Sequence, residues 1–341
     1  MVVSTSPSHE YAHSKRLQSQ EAMMTHKRPT VGWIGTGRMG SQLVERLLGA
    51  GYDVSVYNRT ASKAQPLVDA GARRVSTPAD LADRDIVFTM VSAPKDLAAV
   101  TTGPNGLLTN PDHAPRIIAD SSTVSVEASE ILRAAAAERG THLLATPVSG
   151  NPAVIAAGKL TVAVSGPREA FDEVEPVVQH FGRSVTYVGD GEVARLVKIA
   201  HNIMLGVVTQ TLAEITVLVE KGGVAREAFL NFLNDSVMGS VFTKYKTPAF
   251  VNLDFTPTFT QVLLQKDFDL GLDAGYKLGV PLPVTSVTRN IVAQEVGNGN
   301  VELDFATLLV TAAKGAGLEL VPEDADVSDG LEAEDPAGVG A

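Results

Sequence analysis

The chain is expected to fold as an α/β protein: a doubly wound, mostly parallel sheet, a long interdomain helix, then a C-terminal all-α domain. Three observations carry this expectation. Apolar strand-like runs alternate with helical stretches from Thr30 to about Gly191, and a glycine-rich turn, Gly35-Thr36-Gly37-Arg38-Met39-Gly40, joins the first strand to the first helix. Beyond Gly191 the strand signals stop and helical patterns take over. Such alternation favours a mostly parallel sheet covered by helices. With 341 residues the chain also exceeds what one hydrophobic core usually organises, so two domains are expected.

In order, the strand-like runs are TVGWIG, DVSVYN, a short piece around Val75, IVFTMV, RIIAD, HLLATPV, LTVAVSG and SVTYVG. Helical stretches such as VSVEASEILRAAAAERG separate most of them. From Val193 to about Val219 the sequence reads as one long helix, apolar around most of its circumference and stopped by Gly222 and Gly223. REAFLNFLN, the stretch QVLLQKDFDLGLDAGYKLG, VTSVTRNIVAQEVG and VELDFATLLVTAAKG follow as further helices. The expected organisation is an N-terminal arm over 1–28, a dinucleotide domain over 29–191, the long helix and helical domain over 192–316, and a tail over 317–341.

Composition bounds the function classes. The absence of cysteine excludes disulfides, thiolate metal sites and a cysteine nucleophile. Net charge is −11, and the eight acids from Glu319 to Asp335 stand in a tail without Lys or Arg. The body is therefore near neutral, with no basic footprint for nucleic acid. The tail, rich in acid, Gly and Ala, is expected to be disordered. The polar start has no signal-peptide core, Glu10 and Glu21 speak against a transit peptide, and no uncharged apolar run long enough for a membrane span is found. A cytoplasmic enzyme is the expected reading. The seven histidines show no ligand spacing with carboxylates, so no metal is expected.

The glycine turn follows a strand and opens a helix, the context of a Rossmann-type dinucleotide site. Gly35 permits the tight turn, Gly37 lets backbone approach a pyrophosphate and Gly40 allows close packing, with Thr36, Arg38 and Met39 completing the loop. An NAD site would place an acid at the end of the second strand. Asn58 stands there, followed by Arg59 and Thr60, while Asp53 lies at the start of the strand, too far back. Arg59 can stack on adenine and pair with a 2′-phosphate, so NADP is expected over NAD. Val91, the last residue of IVFTMV, and Ser92 after it are further expected cofactor contacts.

Asp120-Ser121-Ser122-Thr123 and Pro147-Val148-Ser149-Gly150-Asn151 each follow a strand, where open sheets bind ligands. Lys198 and Asn202, four apart on the long helix, share a face, flanked by Arg195 and His201. A Lys in an apolar helix is costly unless paired or lowered in pKa, and a lowered pKa suits a general base near neutrality. Spacing alone fits a solvated surface lysine better.

GTGRMG, DSST, PVSG followed by GKL, KIAHN and KDFDLG occur in the order seen in β-hydroxyacid dehydrogenases, and over about residues 30 to 315 the chain resembles that family. The family includes 3-hydroxyisobutyrate dehydrogenases and tartronate-semialdehyde reductases and has the 6-phosphogluconate dehydrogenase-type fold. The resemblance implies carboxylate binding by Ser122, Thr123, Ser149 and Gly150, catalysis by Lys198, orientation by Asn202, and a position near the nicotinamide for Lys266. It implies an NADP-dependent interconversion of a β-hydroxyacid with its semialdehyde or keto acid. Asn151 stands where the family commonly has a second Gly, allowing a further polar contact. KxxHN resembles the 6-phosphogluconate dehydrogenase branch, and His201 is either a neutral hydrogen-bonding residue at the site or structural. Ser122 and Thr123 also fit an N-cap pair for the following helix, a role that can coexist with binding, and Ser149 and Gly150 share this ambiguity.

Two rival readings stay open. An imine reductase-like enzyme is similar in fold, but those enzymes usually replace the Lys. A non-catalytic dehydrogenase-like binding protein would be expected to lose it. A homodimer or homotetramer is expected, because so apolar a long helix needs more cover than one small domain provides.

Overall fold

A computed structural model describes residues 28–331, so nearly all of the expected N-terminal arm lies outside the described residues. Strands β1 (Val31–Ile34), β2 (Val54–Tyr57), β3 (Arg73–Arg74), β4 (Ile86–Thr89), β5 (Ile117–Asp120), β6 (His142–Ala145), β7 (Val148–Ser149), β8 (Thr161–Ser165) and β9 (Ser184–Gly189) form one sheet. Its order is β3-β2-β1-β4-β5-β6-β8-β7, with β9 paired to β8. The first six strands in that order are parallel, β8 runs antiparallel to β6 and β7, and β9 is parallel to β8. Every residue of β1, β4 and β5 is buried, as near-continuous apolar strands require when helices cover both faces.

Helices α1 (Arg38–Gly49), α2 (Gln65–Asp69), α3 (Pro94–Thr101), α4 (Val126–Glu138), α5 (Pro152–Ala156) and α6 (Arg168–Val178) supply that cover. Leu43 and Leu47 of α1 and Phe171 and Val174 of α6 pack with Trp33 and Phe88 on one face. Leu97 of α3 and Leu132 of α4 pack with Ile34, Val87 and Ile118 on the other. The glycine turn is set by sterics. Gly35 has φ +102, and a Cβ on Gly40 would lie 2.1 Å from the Gly35 carbonyl oxygen, so neither position admits a side chain without distortion.

The helical part comprises α7 (Val193–Lys221), α8 (Arg226–Asp235), α9 (Val241–Val251), α10 (Gln261–Leu278), α11 (Pro283–Gly297) and α12 (Leu308–Gly315). Helix α9 is absent from the sequence-based expectation. Its apolar period is weak and Pro248 interrupts it, yet Ser240 and Thr243 form a capping box at its start. Helix α12 starts later than the pattern from Val301 suggests, because Asp304 caps a 3₁₀ turn over Phe305–Thr307. Contrary to the expectation from sequence, α7 is long and apolar enough to cross a bilayer. Here it is a core helix: α10, α11 and α12 pack along it, and Arg195 is buried at its start.

The tail also departs from expectation. Residues 317–331 are ordered against the helical domain, with Leu318, Leu320, Ala325 and Val327 packed on its core and Leu331 buried. The acidic composition conceals this apolar spacing, and one of the acids is structural. Glu323 accepts the backbone N–H groups of Arg226 and Glu227 at 2.7 and 2.8 Å, at the start of a helix whose own N-cap, Ala225, offers no side-chain acceptor. Asn252 adds a reciprocal amide pair with the backbone of Ala325 at 2.8 and 3.0 Å. The remainder of the tail lies outside the described residues.

Because Glu323 acts as a distant N-cap, Glu323→Ala is expected to cost about 1–2 kcal/mol and to lower Tm by about 2–6 °C in a chain of this size. Thermal unfolding at neutral pH measures this. An unchanged Tm would show that the strap contributes nothing.

Candidate active site

The C-terminal ends of β1, β4 and β5 and the N-terminal part of α7 open onto a cleft of about 710 Å³, closed on its far side by α9 and α10. At its dinucleotide end lie Gly37, Arg38, Met39 and Gly40, with Met90, Val91 and Ser92 beside them. A Cβ on Gly37 would meet nothing within 4 Å, so open space lies before the first turn of α1. No side chain caps that helix, and its first N–H groups are left for an anion. The turn therefore fits a pyrophosphate-bearing cofactor.

Asn58, Arg59 and Thr60 end β2 outside this cleft. The Asn58 amide joins the two loops, its Oδ1 accepting from Thr36 N at 3.0 Å and its Nδ2 donating to Thr60 O at 2.9 Å. Its part is thus at least as much loop geometry as direct contact, a constraint not visible in sequence. Arg59 is well exposed and paired with Asp96 at 2.9 Å. Such a solvated pair is weak enough to exchange for a phosphate.

Ser122, Thr123, Ser149, Gly150 and Asn151 line the middle of the cleft together with Lys198, Asn202 and Lys266. Ser122 Oγ accepts from Val91 N at 2.9 Å and keeps its own O–H to donate. The N-cap alternative for Ser122 and Thr123 is overturned, because Ser125 caps α4 by accepting from Ala128 N. Asn151 is itself a cap, its Oδ1 accepting from Val154 N at 3.0 Å, which leaves the Nδ2 donor for the cleft. Lys266 bridges the two domains, with Nζ 3.5 Å from Thr123 O and 3.6 Å from Asp267 Oδ1.

Lys198 is half-buried in the cleft wall and makes no hydrogen bond or ion pair among the described residues. Burial pulls its ammonium down to about 8; the charge of Lys266 acts in the same direction and that of Asp267 opposes. Beside it runs a directed chain of hydrogen bonds. The Asp267 carboxylate can only accept, so the group 2.6 Å from its Oδ2 is the Asn202 NH₂. Asn202 Oδ1 then faces His201 Nδ1 at 3.0 Å, and that ring nitrogen carries the hydrogen. His201 Nε2 is left to accept from Ser149 Oγ at 2.9 Å. Burial, the larger cause, and the Lys198 charge both lower the His201 pKa and so favour the neutral ring, against the Asn202 bond, which acts to raise it. His201 is thus a hydrogen-bonding member of the site. Ser149, expected to donate to a carboxylate, has its hydroxyl proton committed to His201, so donation at this loop falls to backbone N–H groups and to Asn151.

Arg195 does not flank Lys198 in the cleft, as its spacing suggests. It is buried against Asp120, Nη2 to Oδ2 at 2.7 Å, and donates to Ser122 O at 2.9 Å and to Glu192 at 2.8 Å. Thr89 Oγ1 and Ser122 N complete the shell of Asp120 at 2.6 and 3.1 Å. Sequence reasoning also missed Asp267, although an acid on the buried stripe Leu264, Phe268, Gly271 and Gly275 of α10 was a usable signal. It missed the wall of Phe242, Tyr245, Phe259 and Phe305 together with α9, and it missed Lys159 and Arg183 on the β8–β9 side of the cleft. No cluster that could hold a metal ion occurs among the described residues.

Comparison with known proteins agrees with this geometry. Residues 30–189 match the NAD binding domain of 6-phosphogluconate dehydrogenase, and residues 189–311 match the NAD-binding family of NADP-dependent 3-hydroxyisobutyrate dehydrogenase. An uncharacterized oxidoreductase of Bacillus subtilis is 33% identical over 280 residues, covering 81% of this chain and 97% of its own. The 2-(hydroxymethyl)glutarate dehydrogenase of Eubacterium barkeri is 32% identical over 76% of this chain and 87% of its own. The cytokine-like nuclear factor N-PAC of Gallus gallus is 30% identical over 76% of this chain, which spans only 47% of that longer relative. Among solved structures, a 3-hydroxyisobutyrate dehydrogenase of Mycobacterium tuberculosis with L-serine is 26% identical, with a TM-score of 0.73 over 84% of this chain and 99% of its own. With its dinucleotide turn, its helix-borne Lys198 and Asn202, and both domains matched in order, the chain belongs to the β-hydroxyacid dehydrogenase family.

Proposed function

We propose that the protein is an NADP-dependent oxidoreductase that interconverts a β-hydroxyacid and its semialdehyde or keto acid, with Lys198 as the general acid and base. The observation that carries this reading is Lys198 itself, without a hydrogen-bond or ion-pair partner among the described residues and lowered to about 8, in one cleft with the dinucleotide turn and the donors of Ser122, Asn151 and Lys266. The nicotinamide would supply the hydride acceptor or donor. The protein's own part is to hold the carboxylate, to place the reacting C–O bond at Lys198 Nζ, and to move one proton there. In oxidation neutral Lys198 takes the hydroxyl proton; in reduction the ammonium returns it to the carbonyl oxygen. Asn202, anchored by Asp267, orients the group beside it. The likeness to N-PAC keeps a binding role in view, but the retained and lowered Lys198 favours catalysis.

A panel of 3-hydroxyisobutyrate, 2-(hydroxymethyl)glutarate and the matching semialdehydes, followed by nicotinamide absorbance, tests the reaction. Lys198→Ala is expected to lower kcat by about 10²–10⁴-fold with NADPH binding retained. Lys198→Arg should fail nearly as badly, since guanidinium keeps the charge but does not release a proton near neutrality. For the wild type, kcat/KM for oxidation should rise as pH passes upward through about 8, and that for reduction should fall over the same range. An Arg variant with most of the wild-type rate would reduce Lys198 to an electrostatic anchor.

The second expectation concerns the cofactor. With no acid at Asn58 and with Arg59 at the rim, NADPH should bind more tightly than NADH in a fluorescence titration at moderate salt. Asn58→Asp combined with Arg59→Leu should reverse the order, and tighter wild-type binding of NADH would count against the reading.

Third, Leu196, Val197, Met204, Ile215 and Leu218 of α7 are exposed in the single chain, as are Val262, Tyr276 and Leu278 of α10. We propose that a homodimer or homotetramer covers them, since large apolar side chains exposed on neighbouring helices favour association. Sedimentation at micromolar concentration should show no dominant monomer.

A further inference from the structure

We propose that the substrate carries a second anionic group, a carboxylate or phosphonate, held by Arg183 and Lys159 on the β8–β9 side of the cleft. The inference rests on the reading of the site as a β-hydroxyacid dehydrogenase and adds the substrate class. In the sheet, β8 and β9 lie beyond β6, on the side away from β1 and β2. Ser149 pairs with Thr161 across β7 and β8, and Arg183 N donates to Leu160 O at 2.7 Å. Lys159 and Arg183 therefore flank Leu160, next to the Ser149–Asn151 loop, and both line the cleft.

Charge is the second observation. The protein is acidic overall, yet the cleft wall carries Arg38, Lys159, Arg183, Lys198 and Lys266 against one acid, Asp267. Asp267 gives one oxygen to Asn202 and has Lys266 beside the other. Arg38, in the turn, stands by the dinucleotide; Lys266 is placed for the first carboxylate; Lys198 is the proton carrier. Arg183 is exposed and its guanidinium has no hydrogen bond or ion pair among the described residues. Lys159 donates only to a neutral acceptor, Gly330 O, at 2.8 Å. Two cations in one concave wall, with no acid bonded to either among the described residues, attract an anion. The planar fork of Arg183 suits an oxyanion bound through two oxygens.

The test compares two unreactive ligands of similar shape, 2-methylglutarate and 2-methylpentanoate, binding to the full chain with NADPH bound, followed by nicotinamide fluorescence. The dicarboxylate is expected to bind about tenfold or more tightly, the loss associated with one charge-assisted contact. Arg183→Gln should abolish most of that advantage and Lys159→Gln part of it, with 2-methylpentanoate and NADPH affinities unchanged. In turnover, Arg183→Gln should raise KM for 2-(hydroxymethyl)glutarate but not for 3-hydroxyisobutyrate. Equal binding of the two ligands by the wild type, or equal weakening of both by Arg183→Gln, overturns the proposal. Preferential binding of the dicarboxylate without turnover of any hydroxyacid would uphold the anion subsite and refute the proposed reaction.

Discussion

The ion pair between Asp120 and Arg195 joins the two halves of the molecule, and the rest of the site depends on it. Neither side chain reaches solvent to any extent, with exposures of 0% and 2%. A buried pair of this kind adds little net stability over apolar packing, but removing one partner leaves an uncompensated charge at a cost of about 3–5 kcal/mol. Its value here is positional. Asp120 ends the central strand β5, and Arg195 lies in the first turn of α7, so the pair docks the start of the long helix on the ligand-binding edge of the sheet. Arg195 also donates to Ser122 O, so the same guanidinium fixes the loop that faces the cleft. Glu192, bound to both Arg195 and Arg133, extends the brace to α4.

Once α7 is docked, helical geometry places everything else. Lys198 follows Arg195 by three residues, and His201 and Asn202 lie one turn further, so a helix held at its first turn brings all three to the cleft. The other side of the site comes from α10, and its approach is a matter of volume. A Cβ on Gly206 would lie 2.5 Å from the Phe268 ring, and one on Gly271 would lie 2.0 Å from Ile203 Cδ1. These two glycines let α7 and α10 cross closely enough for Asp267 to reach Asn202. The chain of Asp267, Asn202, His201 and Ser149 then has a single direction, set by the fact that a carboxylate cannot donate. It ties the helical domain to the Ser149 loop, while burial and the charge of Lys198 favour the neutral form of His201.

Electrostatics separates the two roles that cations play in the cleft. Lys198 is poised to lose a proton because burial and a neighbouring ammonium disfavour its charge. Lys246, by contrast, is buried behind the aromatic wall and fully partnered: it bonds Asp304 at 2.5 Å and Thr258 at 2.9 Å and lies 4.2 Å from the Phe305 ring centroid. A lysine withdrawn from solvent is thus reactive where partners are missing among the described residues and structural where they are present.

Most of the sheet, the glycine turn, α7 and the pair Lys198 and Asn202 were legible from the residues, because period, punctuation and i to i+4 spacing are local properties of a chain. The lack of an acid at the end of β2, where Asn58 and Arg59 stand, was legible too, since it depends on which residues end one strand. Contacts between distant segments were not. Nothing local distinguishes Arg195, which bonds a residue 75 positions away, from Lys198, which bonds none of the described residues. Ser122 and Thr123 look like a helix cap until Ser125 is seen to occupy that place, and Ser149 looks like a free donor until His201 is found 2.9 Å away. The acidic tail was misjudged for the same reason: composition predicts how a segment behaves alone, whereas Glu323 and the leucines around it are ordered by an uncapped helix and an apolar surface supplied by residues about 70 to 100 positions earlier. Which charges meet and which remain without a partner is a property of packing across the whole chain, and the chemistry of this cleft follows from that difference.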